Sequence, residues 1–407
     1  MTDFPGNGQE QGQGQGQPQG RPINLKDIDF ASFNRMLGLG IKVGAFLVFL
    51  LALNWARSFY TDWLWFQGVG QEKVLVTMAV ARAGLFVLAV LVFLALAVPS
   101  ILLAHRSTGG APVLRKGGLS PDEHDLVRKL LVRAFLGIAA LFSLVLAGQP
   151  ALEWEKVLLF LNRVSFGEVD PIFNRDFGFF IFILPALELA RDWLLSVLVT
   201  VALLVAGFYY VTSRMRTDFA SFLPRARTQL TWLGAALFVV IAAGHWLGRY
   251  ELLYSPTGAV YGVGYTDNYV NLPGRAILTV LALAVSGFLV ADTFVSKEKW
   301  SRISRLVIWP VAIWFAATLL VGGLAPSLVQ RLSVEPSELA REREFLANNI
   351  QYTRQAFGLD RLQSRSHPAL GTVDAATVAE NRGTIQNVRL WDESPLLQSY
   401  NQIQFFR

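Results

Sequence analysis

The side chains that could carry chemistry are few. Four histidines (His105, His124, His245 and His367) and no cysteine occur in 407 residues. No histidine falls at a ligand spacing such as H-E-x-x-H, so no metal or other cofactor is expected and no catalytic motif points to an enzyme. The absence of cysteine excludes a disulfide framework, a thiolate site and a Cys nucleophile within these residues. His245 is the distinctive imidazole, because it ends an apolar run beside Trp246 and just before Arg249 and Glu251. An ionisable group at membrane depth marks a proton or substrate path, or else hydrogen-bonds a neighbour at the interface. Asp292 closes a later apolar run with Lys297 and Lys299 beyond it, which suits either a relay or local pairing. Residues 249–274 gather Glu251, Asp267, Asn268, Tyr254, Tyr261, Tyr265 and Tyr269 among the turn-permitting Gly258, Gly262 and Gly264. Such a loop could bind carbohydrate or lipid headgroups, or plug against an outer domain. Its glycines do not form a nucleotide-binding fingerprint, and the spacing of Glu251 and Asp267 in space, which a glycosidase would require, does not follow from sequence.

The elements that hold these groups are membrane helices. Hydrophobic residues make up 53% of the chain and charged residues 16%, the balance of a multi-pass membrane protein. Residues 83–104 contain no ionisable side chain, and at about 1.5 Å per residue they cross about 30 Å of hydrocarbon. Further spans are expected at about 36–56, 130–148, 193–211, 232–247, 276–291 and 303–324, seven in all. Residues 177–187 are too short to cross and carry Pro185, so they are expected to lie at the interface or to re-enter. With this threading the inner segments hold 18 Lys and Arg against 9 in the outer loops, placing the N-terminus in the cytoplasm and the C-terminal region outside the cell membrane. That clustering also explains the sequence pI of 9.6 without nucleic acid. Gly40 and Gly44 form a G-x-x-x-G that would admit a neighbouring helix, while Lys42 suits a snorkelling anchor and Trp63, Trp65 and Phe66 an interfacial belt.

Three regions follow. Residues 1–35 form a Gln/Gly-rich cytoplasmic tail with nothing to bury, residues 36–326 the membrane domain with an interfacial segment at about 171–191, and residues 327–407 the start of a mixed α/β extracytoplasmic domain. In the last region a helix is expected from 333 to 358, with Leu339, Leu346, Ile350 and Phe357 as its apolar stripe, a strand at 384–391, and a helix opening at Ser394-Pro395. The apolar content is low for an independent core, so the domain is expected to be truncated.

Five stretches resemble the bacterial membrane proteins of Uncharacterised Protein Family 0182: TDWLWFQGVG, VDPIFNRDFGFFIFILP, RYELLYSPTGAVYGVGYTDNYVNLP, SVEPSELAREREFLANNIQYTRQAFGLD and TIQNVRLWDESPLLQSYNQIQ. The chain departs from the family pattern at Ser337, where Asn is common, and at Arg343-Glu344-Phe345, where Lys/Glu-Pro-Tyr is usual. The resemblance implies seven spans followed by a large extracytoplasmic domain, and an N-terminal fragment of a longer protein. The family has no established activity, so it lends no site residues. The expected role is to anchor an outer domain for envelope-related binding, assembly or scaffolding, with the bilayer as partner and an envelope protein, lipid or glycan on the outer face. The alternative is a transporter or channel with a polar path near His245 and Asp292.

Overall fold

The structure, a computed structural model, describes residues 30–108, 121–215, 223–294, 300–366, 374–388 and 393–404. Residues 1–29 of the expected tail, the basic pair Arg115 and Lys116, and Lys297 and Lys299 lie outside them, while residues 30–35, expected to belong to that tail, are the first turns of a helix. The chain divides into two compact units, Met1–Asn349 and Ile350–Arg407.

The first unit is built from α1 (Phe30–Gly68), α2 (Glu72–Ser107), α3 (Pro121–Leu152), α4 (Trp154–Leu161), α5 (Leu184–Met215), α6 (Leu223–Glu251), α7 (Leu272–Thr293), α8 (Trp300–Leu319), α9 (Ala325–Val329) and the start of α10 (Glu338–Ala356). A chain this apolar satisfies its backbone internally, and the helix does so within one segment. Six runs among the described residues are long and apolar enough to cross a membrane: Glu72–Ser107, Leu126–Leu152, Phe179–Arg214, Leu223–Tyr254, Asp267–Thr293 and Ile308–Ala356. Seven were expected. The remaining one, residues 36–56, is helical within α1, but part of it lies outside the described side chains.

Residues 177–187 do not turn back as a re-entrant piece. Phe179–Ile183 forms a π-helical turn that runs straight into α5, and the Phe180 carbonyl, which the missing Pro185 N–H leaves without its helical donor, accepts from the Tyr254 hydroxyl at 3.3 Å instead. The whole run of 36 residues is about 54 Å long, well beyond about 30 Å of hydrocarbon. Its first turns therefore have length to spare for the cap described below.

Two cores hold the helices. Phe93, Ile101, Val197, Val201, Val205 and Phe208 are buried together between α2, α3 and α5, and Trp193 donates its indole N–H to the Leu146 carbonyl at 3.0 Å. On the other side, α6 and α7 meet through Ala235, Ala242 and Ala282, whose small side chains allow close approach. Ser286 crosses that interface to the Ala235 carbonyl at 2.9 Å. The expected G-x-x-x-G contact is not seen at Gly44, where an added Cβ would meet nothing within 4 Å.

The second unit holds a 3-10 turn at Leu359–Arg361, then α11 (Ala375–Glu380), α12 (Arg382–Gln386) and α13 (Glu393–Gln404). Gly358, at φ +65°, stops α10 in the left-handed conformation expected of it. Asp374 caps α11 through the Thr377 N–H at 2.8 Å. The expected strand is overturned where it is described, because Thr384, Ile385 and Gln386 belong to α12. A strand needs a partner edge, and no strand occurs among the described residues; the nearest approach is one antiparallel bridge, Val169 to Asp176. The fold is thus mainly α rather than a helical bundle with a mixed α/β domain.

Candidate functional site

Three segments meet at one end of the helices and form a polar cap: the hairpin of residues 162–178, the loop of residues 252–266, and the first half of α10. They share a small apolar core of Leu252, Val263 and Phe345, with Ile172 and Phe173 packed against it. Phe173 and Phe179 also pack on Tyr250 at ring-centroid distances of 5.2 and 4.9 Å.

The hairpin is organised by two aspartates. Asp176 accepts from the Ser165 hydroxyl at 2.5 Å and from the N–H groups of Phe166, Gly167 and Gly178 at 3.1, 3.0 and 2.7 Å. The Ser165 hydroxyl first, and then these N–H groups, hold its carboxyl down at about 2. Asp170 is buried and accepts from Ile172 and Phe173 N–H at 2.9 and 2.7 Å. Burial is the larger effect there, so its pKa is raised despite those bonds.

The loop is closed by the Gly262 N–H on the Ser255 carbonyl at 2.9 Å, with Gly262 at φ +125°, a conformation natural to glycine. Asp267 is buried, accepting from Asn271 at 2.7 Å and from Thr257 at 3.3 Å. Glu342 reaches from α10 to the Tyr265 N–H at 3.0 and 3.1 Å and is only 2% exposed. Gly264 leaves the space for it, since a Cβ there would sit 3.2 Å from both carboxylate oxygens. Arg341 bonds the Tyr265 hydroxyl at 2.8 Å and lies over its ring, and Asn349 donates to the Tyr261 carbonyl at 3.0 Å. The expected stripe of α10 is not its packing face: Leu339 is exposed, and Glu342 and Phe345 are buried instead.

Beneath the cap, Glu251 accepts from Arg191 of α5 at 2.9 Å and from Arg275 of α7 at 3.4 Å. Both arginines pass over glycines of α6. A Cβ on Gly244 would lie 3.1 Å from the Arg191 side chain, and one on Gly248 would collide with the Arg275 guanidinium. The small-residue pair on α6 therefore makes room for arginines rather than for another helix.

Of the residues singled out from sequence, Glu251, Tyr254, Asp267 and Asn268 belong to this cap. Tyr254 donates to the Phe180 carbonyl at 3.3 Å, and the Asn268 N–H bonds the Gly264 carbonyl at 3.0 Å. Arg249 stacks over Trp246 at 4.5 Å. His245 packs on Trp314 of α8 at 6.0 Å between ring centroids, and its buried Nε2 has no partner among the described residues. Asp292 is elsewhere: it pairs with Arg227 near the start of α6. Residues 227 and 245 are about 27 Å apart along that helix, so His245 and Asp292 are not brought together. Sequence reasoning missed Arg191, Arg275, Arg227 and Glu342. An antiparallel register between the fifth and sixth apolar runs would have aligned Arg227 with Asp292 and Glu251 with Arg275; nothing in the sequence marks Glu342 as buried.

No solved structure matches the chain. A model of "Uncharacterised protein family (UPF0182)" matches residues 39–407. Similar curated proteins, each named only as a UPF0182 protein, come from Desulforamulus reducens (32% identity, 91% of this chain and 41% of the relative), Pelotomaculum thermopropionicum (34%, 90% and 41%) and Trichlorobacter lovleyi (35%, 89% and 40%). The chain spans about two fifths of the length of these relatives. Through the match from residue 39 to its last residue, the chain belongs to the uncharacterised protein family UPF0182.

Proposed function

We propose that this chain is the membrane-embedded part of a cell-envelope protein, whose seven helices, α1 included, anchor and orient an extracytoplasmic portion for binding, assembly or scaffolding. The observation that carries the reading is the asymmetry of the bundle. One end is closed by a hydrogen-bonded cap of two loops and α10, while Arg106, Arg128, Arg214, Arg225 and Arg227 lie toward the other, in segments that hold the two-fold Lys and Arg excess which the charge rule assigns to the cytoplasmic face. The bilayer is then the first partner, and an envelope protein, lipid or glycan meets the cap. Nucleic acid has no part in this reading.

The test is fractionation combined with a reporter. The chain should stay in the membrane pellet after alkaline carbonate extraction, and alkaline phosphatase fused after Arg407 should be active outside the cytoplasm. Extraction into the supernatant, or a reporter active only in the cytosol, refutes the proposal. Transport is the second reading, and the ion pairs near both ends of α6, together with the His245 Nε2 that has no partner among the described residues, are what favour it. It requires flux in proteoliposomes that His245→Ala or Asp292→Ala abolishes.

A further inference from the structure

Two open clefts flank the first turns of α6. One, of about 580 Å³, lies between α5, α6 and α7, and is lined by apolar side chains including Leu230 and Leu289, with Arg227 at its edge. That arginine is already matched by Asp292, whose side chain is 3% exposed, so the cleft offers an anion little net charge. The other, of about 510 Å³, lies between the end of α2 and the start of α6, with Leu103, Pro224 and Trp232 as apolar wall and Ser107, Arg225 and Thr228 at the polar end. Both volumes fall within about 300–1,000 Å³, the range of small-molecule sites.

The second cleft differs in its charge. Arg225 is exposed and donates to the Ser107 carbonyl at 3.4 Å, a long contact, and among the described residues no carboxylate pairs with it. Arg106, also exposed, precedes Ser107 on α2. Guanidinium groups bind phosphate oxygens through two parallel N–H donors, and basic pockets between membrane helices on the cytoplasmic side select anionic headgroups. The wall continues the polar end in the direction an acyl chain would take: Thr228 and Trp232 follow Arg225 one and two turns along the same face of α6, and Leu103 lies one turn before Ser107 on α2. Trp232 is 47% exposed and lines the cleft.

We propose that the α2–α6 cleft binds an anionic phospholipid of the inner leaflet, its phosphate held by Arg225 beside Thr228 and one acyl chain laid along Leu103 and Trp232. The proposal rests on the membrane reading above. Charge complementarity selects this occupant, because a zwitterionic lipid would bring its own cation next to Arg225 and a free phosphate would leave the apolar wall unfilled.

The test is native mass spectrometry of the delipidated chain in detergent, titrated with phosphatidylglycerol, phosphatidylcholine or inorganic phosphate. Phosphatidylglycerol should be retained over phosphatidylcholine, and Arg225→Gln should weaken its retention about five-fold, the worth of one arginine at an anionic surface. Thr228→Trp, which fills the cleft from an exposed position, should lower phosphatidylglycerol retention to the phosphatidylcholine level. Arg225→Lys keeps the charge and should restore most binding. Equal retention of the two lipids, undiminished retention in both Arg225→Gln and Thr228→Trp, or binding of inorganic phosphate as strong as that of the lipid would overturn the proposal. A chain that resists carbonate extraction yet shows no lipid preference would refute the cleft alone; a chain that is extracted would refute the membrane reading beneath it.

Discussion

Single carboxylates decide how the cap is held. Asp176 ionises at about 2 against an ordinary 3.8. A depressed carboxylate contributes stability that is complete above its unfolded pKa and is lost as pH falls through its folded value. The amide resonances of Gly167 and Gly178 should therefore titrate with a midpoint near 2, and Asp176→Asn should abolish that titration; a midpoint near 3.8 would contradict the account. Asp170 works with the opposite sign, since its raised pKa means the hairpin carries a cost once that carboxyl ionises. Glu251 serves two arginines while about a third exposed, so Glu251→Ala should lower stability by about 1–2 kcal/mol in a detergent melt, less than a fully buried pair would cost. An unchanged melt would show the network to be incidental. At this scale the sequence was half legible. It singled out Glu251 and Asp267 by their place in a tyrosine- and glycine-rich loop, but not Arg191, Arg275 or Arg227, because each pairs with a residue on a different helix.

Among the elements, α10 makes the most specific contact. It is tied to the 252–266 loop by one carboxylate, Glu342, in a space that Gly264 leaves open. Glu342→Leu keeps most of the bulk but removes both acceptors and leaves the Tyr265 N–H unpaired, which should cost about 1–3 kcal/mol and speed limited proteolysis in residues 252–266; cleavage at the wild-type rate would show the contact to be weak. Apolar periodicity and helix stops made most helices legible, including α10 and its end at Gly358. Two readings failed for physical reasons. Pro185 looked like a break, yet the helix runs on through it, with the Tyr254 hydroxyl donating to the Phe180 carbonyl in place of the missing N–H. Residues 384–386 looked like the start of a strand from their β-prone neighbours, yet local helical bonds win when no second strand offers an edge.

At the scale of the molecule, apolar helices carry the cap at one end and an arginine-bordered cleft at the other, and the proposed function depends on those ends facing opposite sides of a membrane. The cysteine-free sequence suits a direct measurement. Single cysteines placed at Tyr261, 78% exposed in the cap, and at exposed Arg106 at the far end should be labelled in spheroplasts by a membrane-impermeant maleimide in different ways. The account predicts that Tyr261→Cys reacts in intact spheroplasts and Arg106→Cys only after permeabilisation. Labelling of both from the same side, or the reverse pattern, would contradict it.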